Sequence, residues 1–344
     1  MEKLSIFIIN YNGGDILLDV IKSLKEQDYS PISIMLIDDG STDKSVSMVQ
    51  QSFPDIEIHG FGYNTKSLNR LRRLAIDTAN SRYVFIIDND IVLEKNCISN
   101  LMSVMQRDNS VGVCTPRLMY YSDKKKVNIS WTKLHYICNS ISPKRDTYTV
   151  PESVTEDTVG GGIMLLDRNK VNEIGTIDDS FPMGWGDDAD IYIRMKIAGY
   201  KTLYVPNAVG YHYAKEWSSG RSYRAFGQVY NRWVMIISFY QFKSIILLMP
   251  AFIVYDIFLF FMLLLKGLGL TYFKALLSFF KNFKKVLKKR KAVQLTRRVK
   301  DKDFLTVGPL YIPTAHLSSS FHKIGIACLN TFFLIYWYLV KYFL

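Results

Sequence analysis

Tyr83-Val84-Phe85-Ile86-Ile87-Asp88-Asn89-Asp90 is the stretch on which the fold turns. Its five leading residues are β-branched or aromatic and predict a strand buried on both faces. The run then ends in two carboxylates one residue apart. A buried strand that finishes in acids delivers them to the C-terminal edge of a sheet, where open α/β folds collect their ligands. Acids at i and i+2 can take separate roles, one accepting from ribose hydroxyls while the other holds a hard divalent cation. A plain polar turn after a strand has the same composition, because Asp and Asn are good turn formers. The neighbouring segments decide between these readings.

Upstream, Leu4–Ile9 reads as another buried strand and runs into Asn10-Tyr11-Asn12-Gly13-Gly14. Ile16, Leu17, Val20, Ile21 and Leu24 then keep a helical period. Ile32–Ile37 predicts a second strand, ending in Asp38-Asp39-Gly40-Ser41-Thr42-Asp43, where Ser41 or Thr42 is expected to cap the next helix. A short strand at Ile56–Ile58 precedes a helix carrying Arg70, Arg72 and Arg73. This alternation with short connections predicts a parallel, doubly wound sheet. Two of its strands would end in acid clusters at one edge, an arrangement that suits a nucleotide. With no Gly-x-Gly-x-x-Gly and no Gly-Lys-Ser, neither a dinucleotide fold nor a P-loop is indicated. Diphosphate charge is then left to a metal and to basic side chains.

Downstream, Val111–Met119 reads as a strand. Residues 120–157 are polar and irregular, equally readable as a surface excursion or as a loop that shapes an acceptor site. Gly160-Gly161-Gly162 leads into a strand ending at Leu166, and Phe181–Gly186 is a glycine- and aromatic-rich loop. Asp187-Asp188-Ala189-Asp190 opens a helix, where acids are also ordinary partners of the helix dipole. Thr202–Val205 predicts a further strand, and His212 closes the aromatic segment Tyr211-His212-Tyr213.

The net charge of +12 is unevenly placed. Residues 244–344 hold 15 Lys/Arg against Asp256, Asp301 and Asp303, whereas residues 1–243 hold 28 of each sign. A nucleic-acid binder would carry its excess on the folded domain, so no nucleic-acid partner is expected. Basic residues beside apolar runs point to an anionic membrane surface. Residues 244–265 are long enough to span a bilayer, with Asp256 as their one charge. A full crossing there would put the basic segment 281–302 on the far side, against the positive-inside tendency. An interfacial or re-entrant pair of helices turning near Lys266-Gly267-Leu268-Gly269 is therefore expected, with a crossing reserved for 324–340. The four cysteines have no metal-ligand spacing, which points to a reducing compartment. Leu4–Ile9 is too short for a signal-peptide core, which puts the N-terminal domain, by expectation, on the cytoplasmic side of the cell membrane.

Taken together, Ile9-Asn10-Tyr11-Asn12, Ile37 to Asp43, Asp88-Asn89-Asp90, Gly160-Gly161-Gly162, Asp187 to Asp190, Arg194, Val205-Pro206-Asn207-Ala208 and His212 resemble the family 2 glycosyltransferases, which have the GT-A fold. The likeness is to the bacterial and archaeal rhamnosyltransferase-like branch that builds surface or lipid-linked glycans. It implies a GT-A catalytic domain over 1–243, a mixed doubly wound α/β sheet, followed by a helical membrane-associated region over 244–344. It implies an inverting enzyme that moves one sugar from a nucleotide-diphosphate donor to a hydroxyl of a lipid-linked glycan, with Mn²⁺ or Mg²⁺. Asn10, Asn12, Asp38, Asp39, Arg72, Asp88 and Asn89 would serve the donor. Asp90 would bind the metal and His212 would complete that site. Gly161, Gly162 and Trp185 would shape the acceptor side, and Asp188 would be the general base, helped by Asp187 and Asp190.

The chain departs from the family pattern in two places. Asp187 stands where Glu is usual, and Gln228-Val229-Tyr230-Asn231-Arg232-Trp233 is one residue longer than the Gln-x-x-Arg-Trp of processive members, which favours a single addition. Two other readings stay open: a polyprenyl-phosphate sugar synthase of the same fold, and a non-catalytic membrane scaffold. The acids at 38, 88, 90 and 188 speak against the scaffold.

Overall fold

Strand β1 (Leu4–Asn10) is buried at every residue, because both of its edges and both of its faces are covered. The computed structural model describes residues 1–142, 155–156, 162–182, 185–214, 221–310 and 320–344. From β1 the chain passes through helix α1 (Ile16–Lys25) to β2 (Ile32–Asp38), α2 (Ser45–Ser52), β3 (Glu57–Gly60), α3 (Leu68–Thr78) and β4 (Tyr83–Asp88). β1 pairs in parallel with β2 on one side and β4 on the other, and β3 extends the sheet beyond β2. Ile9 lies opposite Asp88 and Asn10 opposite Asp38. That register brings both acid-ended strands to one sheet edge.

The second half departs from a purely parallel sheet. β5 (Ile91–Leu93), α4 (Cys97–Arg107) and β6 (Val111–Tyr120) are followed by β7 (Val127–Ile129), β8 (Lys133–His135), β9 (Asn139–Ile141), β10 (Thr155–Glu156) and β11 (Met164–Asp167). β11 inserts antiparallel between β4 and β6, and β12 (Lys201–His212) runs parallel to β6. The sheet order is β10-β12-β6-β11-β4-β1-β2-β3. Helices α5 (Arg168–Ile174) and α6 (Ala189–Ile197) precede β12.

Residues 120–142 are not a disposable excursion. The β8–β9 hairpin buries His135, Tyr136, Ile137 and Cys138 completely. Gly160 and Gly161 lie outside the described residues, as does most of 143–161.

The C-terminal helices are α7 (Arg221–Phe239), α8 (Phe242–Leu265), α9 (Gly269–Lys281), α10 (Phe283–Leu295) and α11 (Ser320–Val340). Phe242–Leu265, which is α8, and Ile324–Phe343, which begins in α11 and runs past its end, are the described helical segments long and apolar enough to cross a membrane. Yet α8 lays one face along the domain: Leu248, Phe252, Tyr255, Asp256 and Leu259 are buried, while Ile246, Ile253, Ile257 and Phe261 stay exposed. The buried pair Arg232–Asp256, at 3.0 Å, ties α8 to α7. The chain then reverses at Gly267, whose φ of +72° suits a residue without Cβ. α9 packs back against α7 and α8, and α10 packs against α7. α11 is held by its inner residues Phe333 and Trp337, which meet the ring of Tyr136. One continuous core therefore joins the sheet to α7–α11.

Candidate active site

The C-terminal edge of β1, β2 and β4 is wired together by Asn10. Its buried amide nitrogen donates to Asp38 Oδ1 at 2.7 Å and to the hydroxyls of Ser41 at 3.1 Å and Ser45 at 3.3 Å. Its Oδ1 accepts from Asn89 Nδ2 at 2.7 Å. A Cβ on Gly13 would stand 2.5 Å from Asn10 Oδ1 and 2.9 Å from Asn89 Nδ2, so only glycine leaves that bond undisturbed.

Asp38 is engaged on both oxygens, by the Ser41 amide at 2.9 Å and hydroxyl at 2.6 Å as well as by Asn10. Asp39 Oδ1 accepts from the Thr65 amide at 2.9 Å. Asn12, at φ +52°, accepts from the amides of Thr42 at 2.8 Å and Asp43 at 3.3 Å. These residues build the wall of a cleft and fix the loop 38–43. Ser41 is thus spent on Asp38 and Asn12, and Lys44 takes the N-cap position of α2 in place of the expected Ser41 or Thr42.

Asp88 sits deeper. Its Oδ1 is buried with no hydrogen-bond partner, and a Cβ on Gly162 would come within 2.0 Å of its Oδ2. Burial, opposed by the Arg72 guanidinium and reinforced by Asp90, pushes its carboxyl up to about 7. Arg72 is 3% exposed and does not open onto solvent. It donates to Asn69 Oδ1 at 3.1 Å and pairs with Asp187 at 3.5 Å. Burial alone would lower its pKa, but Asp187, Asp88 and Asp188 outweigh that and raise it. Arg72 is therefore the buried counter-cation of the acid cluster.

Asp90 and His212 come together because β5 pairs antiparallel with β12, His212 opposite Ile91. His212 Nδ1 lies 2.8 Å from Asn128 Oδ1, and its Nε2 lies 3.4 Å from Asp90 Oδ2. In the neutral imidazole this Asn128 contact assigns the proton to Nδ1, leaving an Nε2 lone pair turned toward a carboxylate oxygen. Two acceptors facing each other are the donor set a cation between them would satisfy. Among the described residues no cluster of three or more His, Cys, Asp or Glu could hold a metal. The pair fits Mg²⁺ or Mn²⁺ only in the manner of sites that borrow further oxygens from a substrate diphosphate.

Opposite, Asp188 takes the N-cap position of α6, next to the buried Asp187. Asn69 Nδ2 holds the Asp187 carbonyl at 2.7 Å. The Trp185 carbonyl accepts from Asn231 Nδ2 of α7 at 2.7 Å. Asp190 does not join the cleft: it is fully buried, with Oδ2 on Arg194 at 2.6 Å and Oδ1 on Lys289 at 2.6 Å. Of the predicted residues, Asn12, Asp88, Asn89, Asp90, Gly162, Trp185, Asp188 and His212 are half-buried, Asn10, Asp38, Asp39, Arg72 and Asp187 are buried behind them, and Asp190 is committed to Arg194 and Lys289. Sequence reasoning missed Asn69, Asn128 and Lys289. Helical period could have found Asn69, which shares the inner face of α3 with Arg72, Ala75 and Ile76.

Residues 5–174 match the model of glycosyl transferase family 2. An N-acetylglucosaminyl-diphospho-decaprenol L-rhamnosyltransferase of Mycobacterium tuberculosis is 23% identical over 243 residues, covering 64% of this chain and 78% of the relative. A GalNAc(5)-diNAcBac-PP-undecaprenol beta-1,3-glucosyltransferase of Campylobacter jejuni is 30% identical over 105 residues, 30% of this chain and 34% of the relative. The mannosyltransferase PcManGT from Pyrobaculum calidifontis, solved with GDP-Man and Mn2+, superposes with a TM-score of 0.52 at 15% identity, over 99% of this chain and 85% of that one. GalNAc-T7, solved with UDP, GalNAc and Mn2+, gives 0.53 at 16% identity, over 67% of this chain and 48% of that one. Both share the fold.

Proposed function

From residues 5–174, which place the chain in glycosyl transferase family 2, we propose that it transfers one sugar, with inversion, from a nucleotide-diphosphate sugar to a hydroxyl of a lipid-linked glycan at the cytoplasmic face of the membrane. The observation that carries this is the meeting of Asp90 and His212 at the same sheet edge as the Asn10–Asn89–Asp38 wall. The names of the two relatives, both of which act on polyprenol-linked glycans, support the acceptor class.

The chemistry follows from the side chains. Asp39, Asn12 and Asn89 line the donor wall, whose shape the Asn10–Asp38–Ser41 bonds preserve. Asp90 and His212 would hold a divalent cation, which when bound supplies positive charge for the leaving diphosphate. Asp188 takes the proton of the acceptor hydroxyl as that oxygen attacks the anomeric carbon. Arg72, buried among Asp187, Asp88 and Asp188, keeps these carboxylates from repelling one another out of place.

Membrane attachment is supported by the outer faces of the C-terminal helices. Ile253, Ile257, Phe260, Phe261, Phe273 and Phe280 border an apolar groove of about 670 Å³ between α8 and α9. Beyond it, Lys284, Lys285, Lys288 and Lys291 of α10 are exposed. α8 packed along the domain, with the chain reversing at Gly267, keeps the basic helix beside the catalytic cleft and suits helices lying in the interface.

The test is a panel of uridine, guanosine and thymidine diphosphate sugars with Mn²⁺ and the full chain in anionic vesicles, read by nucleoside-diphosphate release. Release that requires a polyprenyl-diphosphate N-acetylglucosamine acceptor is expected. Release only with bare polyprenyl phosphate would make the protein a polyprenyl-phosphate sugar synthase, and none with any donor would leave a scaffold.

A further inference from the structure

The lysines of α10 face two ways. Lys284, Lys285, Lys288 and Lys291 are exposed, whereas the Lys289 side chain is 12% exposed and points into the domain. Its Nζ lies 2.5 Å from Asp178 Oδ2 and 2.6 Å from Asp190 Oδ1, with the Phe181 ring centroid 3.9 Å away. Arg194 completes the cluster: it pairs with Asp190 Oδ2 at 2.6 Å and donates to the Ile174 carbonyl at 2.9 Å. Two cations thus balance two carboxylates in a largely desolvated place.

What these carboxylates hold gives the cluster a meaning for the reaction. Asp190 is in the first turn of α6, two residues after Asp188. The Asp178 carbonyl accepts from Asn69 Nδ2 at 3.0 Å, the same amide that holds the Asp187 carbonyl. Lys289 therefore grips both ends of the segment 178–190, in which Asp187 and Asp188 sit. Its own helix is fixed independently: Arg290 donates to the carbonyls of Ile237 at 2.5 Å and Tyr240 at 2.7 Å, and Gln294 to Ser238 at 3.0 Å and Phe239 at 3.1 Å, at the C-terminus of α7.

We propose that Lys289 is a positioning residue for the transfer: from the basic helix it locks the start of α6 and so sets where the Asp188 carboxylate stands. This rests on the reading of Asp188 as the base. Without the ammonium, Asp178 and Asp190 face each other as like charges, and the first turn of α6 must shift to relieve them. The one helix then does two jobs with two faces, lysines outward to the membrane and Lys289 inward to the base.

The experiment uses the full chain in phosphatidylcholine–phosphatidylglycerol vesicles and compares Lys289→Met, Lys289→Arg and Lys288→Met. With the donor that the unchanged protein turns over, Lys289→Met should lower kcat at least tenfold while leaving the donor KM within twofold. Amide hydrogen exchange across 186–192 should speed up at least tenfold, with the amides of β1, β2 and β4 unchanged. Lys289→Arg should recover both within threefold. Lys288→Met should weaken vesicle binding yet leave amide exchange across 186–192 within twofold of the unchanged protein. Unchanged kcat and exchange in Lys289→Met, or protection lost equally across the central sheet, would overturn the proposal. Should that variant not accumulate folded, Asp178→Asn, which leaves the Lys289–Asp190 pair, is judged on the same readouts at a threefold threshold. If no donor is turned over by the unchanged protein, the functional reading fails and the exchange data alone decide whether Lys289 orders α6.

Discussion

Gly162→Ala puts the geometry of the donor edge to a sharp test. A methyl group there would stand 2.0 Å from Asp88 Oδ2 and 2.9 Å from its Cγ. An ordinary carbon–oxygen contact is more than an ångström longer, so either the carboxylate or the start of β11 must move by that much. Neither moves easily: Asp88 is anchored in a strand buried between β1 and β11, and β11 is buried at every residue. Overpacking of this kind costs about 1–3 kcal/mol of stability. A displacement of about 1 Å at a reacting site costs on the order of 100-fold in rate, or roughly 2.7 kcal/mol of transition-state stabilisation. Gly162→Ala should therefore lower kcat/KM about 100-fold and weaken nucleoside-diphosphate binding with Mn²⁺ in a calorimetric titration. Because the clash has a single partner, the same substitution in an Asp88→Ala background should cost less than about 0.5 kcal/mol in stability. Wild-type turnover in Gly162→Ala, or an equal stability cost in both backgrounds, would refute the placement of Gly162 on Asp88.

The other expectations are more direct. Asp90→Ala should bind donor with the same affinity with and without Mn²⁺, since His212 alone is a poor site, and calorimetry with a retained Mn²⁺ increment would count against it. Asp188→Asn should bind donor nearly as well as the unchanged protein and yet lose transfer, because an amide cannot take the proton; turnover near the normal rate would move the base elsewhere. For Asp178, burial by itself would raise the carboxyl, but Lys289 outweighs it and holds it down to about 2. A depressed carboxylate contributes its stability above the unfolded value, here roughly 2 kcal/mol, and loses it as pH falls through about 2. Denaturation of the unchanged protein and Asp178→Asn should then differ at pH 6 and converge near pH 2, and a constant difference would contradict the pairing. The four exposed lysines of α10, at about 1 kcal/mol each near an anionic leaflet, should raise vesicle affinity on the order of 1000-fold at low salt. Co-sedimentation that does not respond to salt would rule that contribution out.

The sheet was legible because its strands are fully buried and therefore written as continuous apolar runs. Leu4–Asn10 and Tyr83–Asp88 leave no alternative period to fit. The segment 120–142 was not, although it is part of the core. Its buried residues Leu134, Tyr136, Ile137 and Cys138 straddle three-residue strands and a turn in which Cys138 has φ +59°. No period can show in so short a piece, and its partners Phe333 and Trp337 are about two hundred positions away. Asp190 and Lys289 show the same limit from the side of charge. Asp190–Arg194 could be read from i,i+4 spacing alone. Lys289 looks like any other lysine in a basic run until the fold sets it against Asp190, 99 residues earlier.

The segment Gln228–Trp233 has a physical account once α7 is seen. Residues 228 and 232 are four apart on one helical face, and that face meets α8. Gln228 Nε2 is 3.5 Å from the Tyr255 hydroxyl, Arg232 Nη1 is 3.0 Å from Asp256, and Trp233 packs edge-on to Phe252. A spacing of three would also leave the two side chains on one face, so the Tyr255 contact belongs to the place of Gln228 on α7 and not to its distance from Arg232. With the extra residue, Gln228 and Arg232 still share one face of α7 and both contact α8. Here Arg232 is committed to neutralising Asp256 and to the Ile137 carbonyl at 2.9 Å. Both commitments are buried, so the guanidinium serves the junction between the β8–β9 hairpin, α7 and α8. Breaking that pair would leave an uncompensated charge in the apolar interface, a cost that falls on the joint before it reaches the chemistry.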